Sequence, residues 1–498
     1  MSTTPSTNAV QIPSQPILCQ NWVRGKSKSG RGIQTEIRSP YSGATIGTLT
    51  HSTPADVDDA VSGAGDAAKE WARTPIKERS QVMFRFRNAL LRELDTLAHC
   101  ISSESGKTLA EARAGVLKGV EVTEFAISLQ NMDGGGKLEV SRGVTCEYRR
   151  EPVGIVAGIT PFNFPAMVPL WMIPIAITLG NAFVWKPSDK TPLTSQKIAE
   201  LLKESGLPDG ILTVVQGGRE TVEAILDHPH ITSVGFVGST PVAKQVYLRG
   251  TANGKRVLAL GGAKNHIILM PDADPELAAR GVADSFTGCA GQRCMAASVL
   301  LAVGDCEKLL QEITAKAAAI RMGEEMGALI TSESRDRISQ AIESAEKNGA
   351  QIRLDGRKPK IQPAWTKGNW LAPTVIDHVQ PGTQAATEEL FGPVLSVIRV
   401  KTLSEALAIQ ASSPFGNAAS VFTRDGGIAD RVTREAKAGM VGINIGVPVP
   451  REPFSFGGVA DSKFGHGDIT GPSSLDFWTH LKKVTTKWSM ASDQNWMS

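Results

Sequence analysis

From Pro152 onward, short apolar runs alternate with helix-like stretches. V-G-I-V-A-G-I, A-F-V-W-K, L-T-V-V-Q, S-V-G-F-V and H-I-I-L-M are separated by segments such as S-Q-K-I-A-E-L-L-K-E-S and P-V-A-K-Q-V-Y. Strands buried on both faces read as continuous apolar runs, and a helix between two of them supplies the crossover that parallel neighbours need. The alternation predicts an α/β fold with a mostly parallel sheet covered on both sides. A second set follows, near S-V-L-L-A-V, V-L-S-V-I-R-V, A-A-S-V-F-T and V-G-I-N-I. Two α/β domains with their cleft near residue 290 are the economical arrangement.

The first third reads differently. A helical block runs from about Thr53 to Gln130, opened by Thr53 as cap, Pro54 in the first turn and acids at the positive dipole end. The glycine break N-M-D-G-G-G-K leads into L-E-V-S-R-G-V-T-C-E-Y-R-R-E, a hairpin that turns at Arg142–Gly143. The tail from Leu475 to Trp488 ends in K-K-V-T-T-K-W, a strand signal suited to pairing with the hairpin of a neighbouring subunit. The polar N-terminus lacks the order of a signal peptide and reads as a short disordered arm. The most apolar stretch, A-M-V-P-L-W-M-I-P-I-A-I-T-L-G, is too short and too broken by proline to span a bilayer.

Net charge matters here only for what it excludes. A formal charge of +3 on 498 residues gives no electrostatic case for nucleic acid or a membrane surface as partner. Six cysteines without C-x-x-C pairing suit reduced thiols in a cytoplasmic compartment, fit no metal motif, and leave room for one chosen for reactivity.

Two motifs are decoys. S-G-K-T at Ser105–Thr108 lacks the upstream glycine of a P-loop, since Ile101 holds that position, and it lies in the helical block. G-A-G-D-A-A at Gly63–Ala68 continues the helix begun at Pro54 and has no strand before it. A better dinucleotide candidate is S-V-G-F-V-G-S-T-P-V-A-K-Q-V, where Gly238 and Ser239 stand between a strand and a helix N-terminus. V-W-K-P-S-D-K-T-P puts Lys186 and Asp189 past another strand end. T-P-F-N-F-P, Thr160–Pro165, fixes a stiff turn around Asn163, whose amide can donate to a developing oxyanion. In F-T-G-C-A-G-Q-R-C-M-A, Cys294 is the candidate nucleophile, with glycines that permit close approach of a ligand.

Together these stretches resemble the aldehyde dehydrogenase superfamily over nearly the whole chain. P-F-N-F-P, V-W-K-P-S-D-K-T-P, F-V-G-S-T-P, G-G-A-K-N-H, G-Q-R-C-M-A, E-E-L-F-G-P-V and F-S-F-G-G fall in that family's order. The resemblance implies a Rossmann-type NAD-binding domain over 15–130 and 152–262, and a catalytic α/β domain over 263–470. It also implies a small β oligomerisation element over 131–151 and 471–498, serving a homodimer or homotetramer. Cys294 would form a thiohemiacetal and then a thioester, with Asn163 and the Cys294 backbone N–H holding the oxyanion. Thr160, Pro161, Phe162, Lys186, Asp189, Gly238, Ser239, Leu260, Glu389 and Phe391 would meet the cofactor, and Asp189 near a ribose favours NAD over NADP.

Hydrolytic members carry a glutamate in E-L-G-G-K that activates the deacylating water, and Leu260 stands in its place. Leucine accepts no proton, which points to coenzyme A as acyl acceptor. The stretches G-A-K-N-H and C-A-G-Q-R-C-M-A are similar to the CoA-acylating branch that handles malonate and methylmalonate semialdehydes. In that branch the arginine before the nucleophile, here Arg293, binds the substrate carboxylate, and Lys118 stands where the branch has a second arginine. The alternative is a hydrolytic enzyme for another small anionic aldehyde.

Overall fold

The computed structural model describes residues 10–132 and 134–488. Most of the expected N-terminal arm (1–9), Asp133 of the glycine break and residues 489–498 of the tail element lie outside the described residues.

An eight-stranded sheet organises the first lobe. Its five central strands are parallel, in the order Arg256–Leu260, Ile231–Val237, Ile155–Ile159, Ala182–Lys186, Leu212–Val214. The chain starts in the middle and winds outward both ways. Ile155–Ile159 and Ile231–Val237 therefore flank the topological switch point, where open α/β sheets bind ligands beyond their carboxyl ends. Antiparallel strands extend both edges, with Lys463–Phe464 on one side and Asn21–Val23 and Lys26–Lys28 on the other.

Four helices fill the block read from Thr53: Pro54–Arg73, Ile76–Arg92, Leu94–Ser105 and Leu109–Ser128. The Thr53 cap forms a capping box with Asp56, and Thr108 does the same with Glu111. The proline-broken apolar stretch is the helix Met167–Thr178, with Pro174 inside it and nearly every side chain buried. It lies within the first core, beside the sheet, and among the described residues no helix is long and apolar enough to cross a membrane.

The second lobe carries a seven-stranded sheet. Thr374–Asp377, Val394–Val400, Ala297–Val303, Asn265–Leu269, Ala418–Phe422 and Met440–Ile443 run parallel, and Gln351–Leu354 adds an antiparallel edge. H-I-I-L-M, read alongside the first strand set, belongs here. The chain leaves the first sheet at Leu260, crosses the glycine pair 261–262 and enters the second sheet at Asn265.

The tail departs from expectation. Thr479–Lys487 pairs antiparallel with Val144–Pro152 of its own chain, from Thr479↔Pro152 to Lys487↔Val144. Its anchorage explains why. Trp478 is fully buried in the first core, and the Asn181 amide donates to its carbonyl at 3.0 Å. Arg256 Nη1 donates to the carbonyls of Asp476, Phe477 and Thr479 at 2.6–2.9 Å. A strand starting from that point meets the hairpin of its own chain first.

Candidate active site

Between the two sheets lies a cleft of about 1030 Å³. One wall is the carboxyl edge of the first sheet. Thr160, Pro161, Phe162 and Asn163 follow Ile155–Ile159, and Gly238 and Ser239 follow Ile231–Val237. Lys186 ends Ala182–Lys186, with Asp189 three residues beyond. All eight line the cleft because parallel strands deliver the residues that follow them to the same carboxyl edge of the sheet.

Ser239 caps the helix Thr240–Ala252 with extended backbone, and its side chain makes no capping bond. A free hydroxyl and orphan N–H groups thus face the cleft at the positive end of a 13-residue helix, a setting that attracts a pyrophosphate. Trp185 Nε1 donates to Thr160 Oγ1 at 2.9 Å, which locks the first turn to the neighbouring strand. Burial pushes the Lys186 ammonium down to about 8, against the opposing pull of Asp189.

The other wall comes from the second lobe. Glu389 accepts from the Ala263 N–H at 2.9 Å, and a side chain at Gly262 would occupy the space its carboxylate fills. Burial raises the Glu389 pKa. Phe391, with φ +56°, turns its ring edge-on to Phe162 at 5.9 Å across the cleft.

Cys294 follows an unusual turn. Cys289, Ala290 and Gly291 all adopt left-handed backbone, with φ of +55°, +52° and +68°. For the two non-glycine residues this costs about 1–2 kcal/mol each, so the surroundings must hold the turn. Glu111 accepts the Cys289 N–H at 2.5 Å, and the Gln292 side chain accepts from Ile330 N at 2.9 Å. At Gly291 any side chain would collide with the Gly392 carbonyl, which brings the turn before Cys294 against the loop bearing Glu389.

The Cys294 carbonyl accepts from two amides, Asn265 Nδ2 at 2.7 Å and Asn417 Nδ2 at 2.9 Å. Asn163 Nδ2 donates to the Gln292 carbonyl at 2.9 Å. A primary amide has two N–H donors, so this bond orients Asn163 and leaves its second donor for a ligand at Cys294. Asn265 and Asn417 were not anticipated from the sequence, where a buried asparagine carries no signal of its partner.

Three anticipated residues do not line the cleft. Leu260 ends its strand with its side chain buried, and its carbonyl accepts from Gly238 N at 3.1 Å. Arg293 turns away from the cleft: Nη2 donates to the carbonyls of Asp284 and Ser285, and its buried Nε has no partner. The cause is Gly288, whose bare backbone the guanidinium covers. Lys118 is held by Glu452 at 2.6 Å and Glu121 at 3.1 Å. Among the described residues no three side chains form a metal-binding group.

Burial pushes the Cys294 thiol up to about 12, and the nearby Glu389 carboxylate adds to the rise. The thiolate is the reactive form, so its fraction grows about tenfold for each pH unit below that value. Alkylation of Cys294 by iodoacetamide in the free protein is therefore expected to accelerate steadily from pH 7 to 10. A plateau near pH 8 would contradict this. Glu389→Gln removes the opposing charge and is expected to shift the profile to lower pH.

Comparison with known proteins gives a consistent picture. The aldehyde dehydrogenase family model matches residues 24–484. Malonate-semialdehyde dehydrogenase 1 of Geobacillus thermodenitrificans is 40% identical over 94% of this chain and 98% of its own length. A Dictyostelium discoideum protein assigned as a mitochondrial, acylating methylmalonate-semialdehyde/malonate-semialdehyde dehydrogenase is 37% identical over 91% of this chain and 87% of its own. A Sinorhizobium meliloti structure assigned as a methylmalonate-semialdehyde dehydrogenase and solved with NAD superposes with TM-score 0.94, at 39% identity over 95% of this chain and 99% of that one.

Proposed function

The chain belongs to the aldehyde dehydrogenase family, and on that premise we propose that it oxidises a small anionic semialdehyde with NAD and transfers the acyl group from Cys294 to coenzyme A. Relatives named for malonate and methylmalonate semialdehydes support the substrate class, and the acylating Dictyostelium relative supports coenzyme A. The observation that carries the acceptor is Leu260, apolar and buried where hydrolytic members carry their general base.

The cleft fits a dinucleotide. The unpaired Ser239 hydroxyl and helix N-terminus suit the pyrophosphate, Lys186 and Asp189 a ribose, and Glu389 the second ribose. NAD, when bound, supplies the hydride acceptor. The rest is the work of this chain. Cys294 attacks the aldehyde carbonyl, and the second Asn163 N–H with the Cys294 backbone N–H stabilises the oxyanion. Once the thiohemiacetal is oxidised, Cys294 holds a thioester. With no proton acceptor at Leu260, water is a poor second nucleophile, whereas a coenzyme thiol brings its own ionisable group. Neither expected cation faces the cleft in the free protein: the Asp284 and Ser285 carbonyls engage Arg293, and two carboxylates engage Lys118.

The test is NADH formation from malonate and methylmalonate semialdehydes with and without coenzyme A. Steady-state turnover is expected to fall about a hundredfold without it. Equal turnover, giving the free acid, would sink acyl transfer. Leu260→Glu is expected to raise the coenzyme-independent rate by about 10² or less, the lower end of a general base's contribution.

The hairpin and tail sheet is the proposed pairing element of a homodimer or homotetramer. Its outer strand Gly136–Ser141 exposes Leu138 and Val140. A monomeric mass by light scattering would remove this assignment.

A further inference from the structure

On the far side of Phe164 from the cleft, two reactive groups meet that the proposed chemistry does not use. Lys107 Nζ lies 2.9 Å from Cys289 Sγ, with both residues buried. Lys107 comes from the connection between two helices of the first lobe, and Cys289 from the turn that presents Cys294 in the second. The pair therefore spans the two lobes at the base of the cleft. Lys107 Nζ also sits 3.6 Å above the Phe164 ring, and that ring lines the cleft. Glu111, one turn along, accepts the Cys289 N–H and so holds the Cys289 backbone beside the amine.

On the Lys107 side of the pair is a small cavity of about 10 Å³, bordered by Lys107, Glu111, Phe164, Ile101 and Gly115. That is room for about one water-sized or diatomic molecule. A direct sulfur–nitrogen bond would need the two atoms to close by more than an ångström. A single oxygen inserted between them spans nearly their present separation.

We propose that Lys107 and Cys289 are a redox modification site, joined by dioxygen into an Nζ–O–Sγ bridge. The step balances with dioxygen as the oxidant. One oxygen atom forms the new N–O and O–S bonds, while the amine loses one hydrogen and the thiol loses its own. Those two hydrogens leave with the second oxygen atom as water. Dioxygen takes up four electrons, and the nitrogen and sulfur are oxidised by two each. A thiol reductant reverses the step, returning amine, thiol and water. The bridge closes a loop between positions 182 residues apart and staples the lobes beneath the nucleophile turn.

Protein prepared in air and protein prepared under nitrogen are digested without reductant and compared by mass spectrometry. In the air sample the Lys107 and Cys289 peptides are expected to be joined, heavier than their sum by one oxygen and lighter by two hydrogens. Dithiothreitol is expected to release both, and the nitrogen sample to contain them unlinked. A link without the oxygen, oxygen on Cys289 alone, or unlinked peptides in air overturns the proposal. The air-prepared native protein is also expected to melt a few degrees above its dithiothreitol-treated form. That difference disappears in Cys289→Ser and Lys107→Met; equal melting temperatures in the native protein overturn the staple.

Discussion

Cys294→Ala is expected to lower aldehyde-dependent NADH formation by about 10⁴-fold or more while leaving dinucleotide binding in place. Removing the thiol removes the covalent route altogether, and what survives is the residual contribution of binding and oxyanion contacts. The backbone carbonyl at 294 keeps its two asparagine partners, so the turn and the walls of the cleft should persist. Steady-state rates with the semialdehydes, paired with NAD titration by calorimetry, measure both sides. Retention of more than a tenth of the activity would rule out Cys294 as the nucleophile. Cys289→Ser under the same assay separates the two thiols: Cys289 faces Lys107 rather than the cleft, and activity should stay within about twofold.

Asn163→Ala is expected to reduce kcat by about 10²–10³, equivalent to about 2.7–4 kcal/mol, the scale of one lost oxyanion donor. KM should change far less, because the donor meets charge that develops only as the thiol adds. Asn163 also donates to the Gln292 carbonyl, so a purely structural role must be told apart from a catalytic one. Loosening of the turn would lower the melting temperature and raise the KM of NAD together with the fall in kcat. A thermally unchanged variant with a selective kcat loss identifies the oxyanion role. Loss of less than fivefold would remove Asn163 from it.

More of the residues expected at the cofactor line the cleft than of those expected at the substrate, and the physics of each explains the difference. Ala182–Lys186 was legible because its apolar run ends abruptly at K-P-S-D, and the carboxyl end of a parallel strand delivers the next residues to the cleft. Arg256–Leu260 was read for Leu260 alone, and its role as the fifth parallel strand became clear only from its pairing with Ile231–Val237. Adjacency misled at Arg293. A neighbour of Cys294 in sequence need not share its direction, and here bare backbone at Gly288 gave the guanidinium another surface to cover. S-G-K-T was set aside as a phosphate loop, and Lys107 within it meets Cys289, a contact no local pattern encodes. Asn265 and Asn417 reach Cys294 from 29 and 123 residues away, beyond any motif.

The burial of Trp478 has a consequence for how the chain is made. Leu475, Phe477 and Trp478 sit in the same core as Val57 and Val61, so the first lobe is finished by residues translated after the whole second-lobe sheet. A ribosome can release the helices and central strands of that lobe early, but their core stays open until the tail emerges and docks. The usual N-terminal-first order of domain folding therefore does not run to completion here. The second lobe, assembled from residues between 265 and 443, can close before the lobe that precedes it.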